Sequence, residues 1–233
     1  MIRCMKSSNF KKLNIKYLEL CDLIAKTFEN TVNLLTETNC IVCGKRSYGK
    51  RLCNDCSALI NDPPSITPRR LANLTLYYFG FYEGKLRDFI LSYKFNNHHS
   101  LAKTFAVMIR NTLIANGINP DIITYVPATK SAKKKRGYDH MRLIASQLSD
   151  LTSVDLVDAL KAVRETDQLK TSDRSEAVKG KFQLAEKSYI IKDKNVLLVD
   201  DVLTTGSTIM EASKVLKTAN PKNLFVCVIA LNK

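Results

Sequence analysis

The sequence predicts an α/β domain built on a mainly parallel, twisted sheet, preceded by an amphipathic helix and a small four-cysteine metal module. Three observations carry that prediction. Strand-like and helix-like segments alternate from Leu74 to the C-terminus, the pattern of helices packed on a parallel sheet. Val196–Val199 is an unbroken apolar, β-prone run, as expected of a strand covered on both faces. Cys40, Cys43, Cys53 and Cys56 form two closely spaced pairs upstream of all of this, which places a separate module before the sheet.

The chain has 233 residues and is 45% hydrophobic, enough to bury a proper core and to exclude wholesale disorder. It carries 36 Lys and Arg against 22 Asp and Glu, a net charge of +14. A surplus of that size favours polyanions such as nucleic acid, nucleotides or anionic lipid. Apolar runs are short and the N-terminus lacks the stretch of a signal peptide or membrane span, so a cytoplasmic protein is expected. Disulfides seldom persist there, and the seven cysteines need another explanation.

Taken in order, Leu13, Tyr17, Leu20, Ile24, Phe28 and Leu35 recur every few positions between charged residues. They make residues 1–36 an amphipathic helical segment, packed on its own domain or lying on a membrane surface. Residues 37–68 form the cysteine module and a proline-rich linker, Asp62-Pro63-Pro64-Ser65-Ile66-Thr67-Pro68. Residues 69–233 form the α/β domain. Within it Leu74 to Tyr82 reads as a strand, Leu86 to Tyr93 and Leu101 to Ala115 as helices, and Ile122 to Val126 as a strand. Tyr138 to Leu151 is a helix with Met141, Ile144, Ala145 and Leu148 on one face. An irregular polar stretch then runs from Arg164 to Lys181. Val196 to Val199, Ser207 to Lys217 and Leu224 to Leu231 complete the domain as strand, helix and strand.

The spacing Cys40-x2-Cys43-x9-Cys53-x2-Cys56 lets four thiolates close a tetrahedron about one Zn²⁺. Gly44 favours the turn after the first pair, and Lys45, Arg46, Lys50 and Arg51 offset the −2 charge of a tetrathiolate zinc centre. With all four positions taken by protein, such a zinc is structural. Two redox-active dithiols are the competing reading. Cys4, Cys21 and Cys227 read as small buried or terminal residues, and His98 and His99 as solvated turn residues.

The segment from Asn195 to Thr208 is the most specific. Asp200 and Asp201 emerge at the end of an apolar strand, where carboxylates can accept hydrogen bonds from a ribose diol. Thr204, Thr205, Gly206, Ser207 and Thr208 then lead into a helix, and a turn of that composition can aim N–H groups and hydroxyls at a phosphate. An acidic helix cap with a polar loop is the plain alternative. The whole resembles the 5-phosphoribosyl-1-pyrophosphate (PRPP) motif of type I phosphoribosyltransferases. Lys130, Lys133, Lys134, Lys135 and Arg136 follow the strand Ile122 to Val126. On the ligand edge of a parallel sheet they would face pyrophosphate or a nucleic-acid backbone, unless they are a solvated lysine run. Tyr138 beside them is a candidate platform for a base, or the first aromatic of its helix. The segment with Arg164 and Arg174 is a mobile lid or a surface loop.

The order of four-cysteine module, Tyr93-Lys94-Phe95, Val126-Pro127, Arg136-Gly137-Tyr138-Asp139-His140, Arg164…Gln168…Arg174…Gly180-Lys181-Phe182 and the Asp200-Asp201 loop resembles the competence protein F (ComF) family over residues 37 to 231. That resemblance implies a type I phosphoribosyltransferase-like domain preceded by a zinc finger, and a role in natural transformation, where imported DNA is handled as a single strand. It implies Asp200 and Asp201 as the catalytic pair, Thr204 to Thr208 as the PRPP phosphate site, and Mg²⁺ accompanying PRPP. Lys94, the 130–136 cations, Tyr138, Arg164 and Arg174 become candidates for pyrophosphate or DNA binding, and competence-machinery proteins become candidate partners. The family pattern usually reads Arg-Gly-Phe-Asn-Gln where this chain has Tyr138, Asp139 and His140 in the last three places. Turnover of PRPP onto a nucleobase or other nucleophile is the alternative function.

Overall fold

The computed structural model describes residues 38–61, 67–96, 98–163 and 180–232, together with Thr27. The predicted N-terminal helix, most of the linker, and Arg164, Gln168 and Arg174 lie outside the described residues. The chain divides into two compact units, one ending at Ser57 and the other beginning at Ala58. In the first, Cys40–Gly44 and Cys53 form the knuckles, and the helix α1, Asn54–Asn61, begins at the second of them and runs across the boundary into the second unit.

The second unit is organised on a six-stranded sheet of order β1-β2-β8-β7-β3-β4. Its strands are β1 (Arg69–Leu71), β2 (Leu74–Phe81), β3 (Ile122–Tyr125), β4 (Asp155–Leu156), β7 (Asn195–Leu203) and β8 (Asn223–Leu231). Only β1 runs antiparallel; every other neighbouring pair is parallel. The mainly parallel sheet is therefore present, with an antiparallel edge. A two-stranded hairpin, β5 (Leu160–Ala162) with β6 (Phe182–Leu184), stands apart from it.

Helices α2 (Gly84–Phe95), α3 (Leu101–Ala115) and α5 (His140–Thr152) follow the predicted positions closely, as does α6 (Ser207–Lys217). Helices α3 and α5 pack on each other and on the sheet, while α6 packs on β6, β7 and β8. The hydrophobic face of α5 is Met141, Ile144, Ala145 and Leu148, all fully buried. Val196, Leu197, Leu198 and Val199 are likewise fully buried at the centre of the sheet, each contributing about 1.5–3 kcal/mol by transfer from water.

Three local differences from the sequence reading bear on function. Strand β7 continues through Asp200 and Asp201 to Leu203, because Val228, Ala230 and Leu231 of β8 lie alongside and supply the ladder. The carboxylates thus sit within the strand. Residues Lys130–Arg136 form a short helix, α4, which starts where the Thr129 hydroxyl accepts a hydrogen bond from the Ala132 N–H (3.2 Å) and ends at Gly137 with φ +81°. Helix α5 begins at His140, two residues after the predicted start, because Asp139 caps it by accepting from the Arg142 N–H.

Candidate functional site

The turn after β7 is shaped by one glycine. Gly206 has φ +80° and begins α6, a conformation that costs any residue with a Cβ. A Cβ there would also lie 3.0 Å from Leu71 Cδ2 of the antiparallel edge strand, so a larger residue would press on that side chain in addition to straining the turn. The Thr205 and Ser207 hydroxyls are 3.0 Å apart. Asp200, Leu203, Thr204, Thr205, Gly206 and Thr208 share a small cavity in front of the α6 N-terminus, where unpaired backbone N–H groups and the helix dipole favour an anion.

Consecutive strand residues point to opposite faces, and this separates the two carboxylates. Asp200 lines the cavity with the loop, its Oδ1 accepting from the Asp201 N–H at 2.9 Å. Asp201 turns the other way, and its Oδ2 receives Lys94 Nζ from α2 at 2.7 Å and His140 Nε2 from α5 at 2.7 Å. Burial and then the charge of Asp201 push Asp200 up to about 8. Burial would raise Asp201 as well, but Lys94 and the hydrogen bond from His140 hold it well below the usual carboxylate range. The pair thus splits into one carboxyl that retains its proton near neutrality and one that stays ionised.

His140, which the sequence offered only as part of a motif and with no role of its own, is a member of the site. It is 8% exposed, and its Nδ1 lies 2.9 Å from an Arg136 guanidinium nitrogen. A guanidinium only donates, so Nδ1 accepts and the proton resides on Nε2, facing Asp201. The Tyr93 hydroxyl donates to the His140 carbonyl at 2.8 Å. Arg136, His140, Asp201 and Lys94 therefore form one continuous polar chain from α4 to β7 and α2. The available sequence signal was a histidine at the start of an apolar helix face, since a buried imidazole requires partners.

The other cations divide. Lys133 pairs with Asp139 at 2.9 Å, and the same carboxylate accepts from the Ala128 N–H at 3.1 Å. The charge of Asp139 is thus compensated within the scaffold. Lys130, Lys134 and Lys135 are exposed along α4. Lys181 acts on Asp200 through its field. Tyr138 packs edge-on to Tyr93 (6.3 Å) and lies against His99 (4.2 Å), with its hydroxyl donating to the Tyr93 carbonyl. His98 hydrogen-bonds Ser92 at 2.7 Å. His98 is thus held by a side-chain partner, while His99 is an exposed turn residue, as expected, that lies against Tyr138.

In the cysteine module the four sulfurs lie within 4.8 Å of one another. Cys43 is 3.6 Å from Cys53 and 3.7 Å from Cys56. Four sulfurs each about 2.3 Å from a shared zinc would stand about 3.8 Å apart, whereas a disulfide needs about 2.05 Å. These sulfur–sulfur distances therefore fit a metal tetrahedron and not bonded dithiols. Burial and then the Cys43 and Cys53 sulfurs push the Cys56 thiol up. Burial also opposes ionisation of Cys40, but backbone N–H groups of Cys43, Cys53 and Val42 hold it down to about 6. Such a donor set suits a divalent cation.

A parallel sheet with an acid-and-hydroxyl loop at the start of the following helix defines a phosphoribosyltransferase-type domain, and residues 120–233 match the phosphoribosyl transferase domain family. Among curated proteins the chain is 25% identical over 205 residues to competence protein ComFC of Streptococcus pneumoniae, spanning 88% of this chain and 84% of that one. It is 31% identical over 160 residues to competence protein F of Haemophilus influenzae, covering 65% of this chain and 70% of that one. The chain belongs to the competence protein F family. Among solved structures, the glutamine PRPP amidotransferase of B. subtilis aligns with 56% of this chain and 26% of its own, at 19% identity and TM-score 0.40. A Staphylococcus aureus hypoxanthine phosphoribosyltransferase aligns with 58% and 65%, at 16% identity and TM-score 0.36. No helix among the described residues is long and apolar enough to cross a membrane.

Proposed function

We propose that this protein serves natural transformation by binding PRPP, or a related ribose phosphate, with Mg²⁺ and by handling incoming single-stranded DNA. The observation that carries the first half is the α6 N-terminus. There Gly206 is backed by Leu71, two hydroxyls converge, and a cavity is closed by a carboxyl on the adjoining strand. An anion on the helix N–H groups would take the 5-phosphate, with the Asp200 side able to receive ribose hydroxyls. Magnesium, when bound with PRPP, would supply charge compensation for the pyrophosphate; Lys94 sits next to that edge but is already committed to Asp201. Zinc held by Cys40, Cys43, Cys53 and Cys56 would be structural. The exposed cations of α4 and the net charge of +14 support the DNA half.

Two measurements test this reading. PRPP with Mg²⁺ should raise the melting temperature through mass action on the native state, and Asp200→Ala should remove most of the shift. A full shift in that variant would put the ligand elsewhere. Changing Lys134 and Lys135 to Ala should flatten the slope of log affinity for single-stranded DNA against log salt by about 1.4, at about 0.7 per phosphate contact on a single strand. An unchanged slope would remove α4 from the DNA interface. Release of pyrophosphate from PRPP in the presence of candidate nucleobases would establish turnover as well as binding.

A further inference from the structure

The turn Ser47–Lys50 in the cysteine module is held rigidly. The Lys50 N–H donates to the Ser47 carbonyl at 3.0 Å, Ser47 N and Oγ both donate to the Thr38 carbonyl, and the Gly49 N–H donates to Thr38 Oγ1. Ser47 is buried at 4% exposure. Its two central residues, Tyr48 and Gly49, have φ +47° and +77°, the geometry of a type I′ turn, which favours asparagine, aspartate or glycine at both places. An aromatic residue in the left-handed region is an outlier. No burial compensates for it, since Tyr48 is 62% exposed.

The surroundings are cationic. Lys45, Arg46, Lys50 and Arg51 flank the tyrosine with no acidic residue between positions 45 and 51, and all four are exposed. Lys45, Arg46, Tyr48, Lys50, Asn54 and Asp55 line one depression, in which Asp55 is paired to Lys45 at 3.0 Å and leaves Arg46 and Lys50 as an excess of positive charge. An exposed aromatic side chain with cations beside it in the chain and in the depression matches the two recurring needs of single-strand recognition: a base to stack and phosphates to neutralise. An acidic peptide would use the cations and leave the ring without a function.

We infer that Tyr48, presented on the strained turn of the cysteine module and flanked by Lys50 and Arg51, is a base-stacking platform for single-stranded DNA. This rests on the proposed DNA-handling role and gives it a second contact surface, distinct from the α4 lysines. The strain is then a feature of presentation: the hydrogen-bonded left-handed turn holds the backbone so that the Tyr48 side chain stays exposed, and the turn itself need not be ordered on binding.

The test uses the full metal-loaded chain and two fluorescent polymers of equal length, oligo(dT) and an abasic deoxyribose-phosphate strand. The wild type should bind oligo(dT) more tightly. Tyr48→Ala should weaken oligo(dT) binding about 5- to 150-fold, leave the abasic strand unaffected and keep the same salt slope. Tyr48→Phe should retain binding. Lys50→Ala with Arg51→Ala should instead weaken both polymers and flatten the slope. Tyr48→Asn, which suits the left-handed turn, should lose binding while melting no lower than wild type, with metal content unchanged; this separates contact from folding. Equal binding of both polymers by the wild type, or an unchanged oligo(dT) affinity in Tyr48→Ala, overturns the inference while leaving the DNA-handling reading in place. Failure of the wild type to bind either polymer overturns that reading as well.

Discussion

Replacing Lys94 by Met tests the electrostatic organisation of the site. The side chains of Lys94 and Asp201 are 20% and 12% exposed, so the pair is largely desolvated and its removal is not a surface effect. Breaking a buried pair by deleting one partner costs about 3–5 kcal/mol. Asp201 would keep its hydrogen bond from His140, which places the expected loss near the low end, about 3 kcal/mol. At about 2–4 °C per kcal/mol for a unit of this size, the melting temperature should fall by about 6–12 °C at pH 7.5. The sign of the pH dependence is specific. In the wild type Asp201 is held below its unfolded value of about 3.9, so its contribution is present above that pH and is lost only as pH falls through the acid range. Without Lys94, burial dominates and raises its pKa, so the variant loses stability as pH rises above about 4. The gap between the two proteins should therefore widen from pH 5 to pH 8, and Lys94→Met with Asp201→Asn should recover most of the loss. Scanning calorimetry across that range decides it. A gap independent of pH, with no rescue by Asp201→Asn, would mean that the lysine acts through packing of its aliphatic stem and not through its charge.

Asp200 behaves oppositely: its folded pKa of about 8 lies above the unfolded value, so it opposes folding increasingly as pH rises from about 4 to 8. Asp200→Asn should melt higher than wild type at pH 9 and equally at pH 4; equal melting at both would show that the carboxyl is not desolvated. Gly206→Ala should cost about 1–2 kcal/mol from the left-handed backbone alone and abolish the PRPP shift, and Leu71→Ala in the same chain should relieve the contact but not the strain. Metal analysis should find about one zinc per chain, and Cys40→Ser should lower both metal content and melting temperature, because binding free energy at such a site is folding free energy. Metal-free protein with undiminished stability would sink the structural assignment.

Much of the scaffold was determined by sequence alone. Period and composition located α3, α5, α6, β2, β3 and β8 within a few residues, because each buries a periodic apolar face whose pattern is local. Cysteine spacing located the metal module, since a knuckle is a contact between near neighbours in the chain. The hydroxyl-rich turn around Gly206 was legible for the same reason. Tertiary structure decided the rest. That β7 runs on through two carboxylates depends on β8 beside it, and that Asp200 and Asp201 face different partners follows from strand alternation once the strand is known to continue. The Lys133–Asp139 pair lies within one short segment, but Arg136–His140–Asp201–Lys94 joins residues as far as 107 positions apart. No window of sequence contains that chain, and each member taken singly is an ordinary surface residue type. Only the tertiary placement of α2 and α5, which brings Lys94 and His140 to the buried Asp201 of β7, makes them a compensated network.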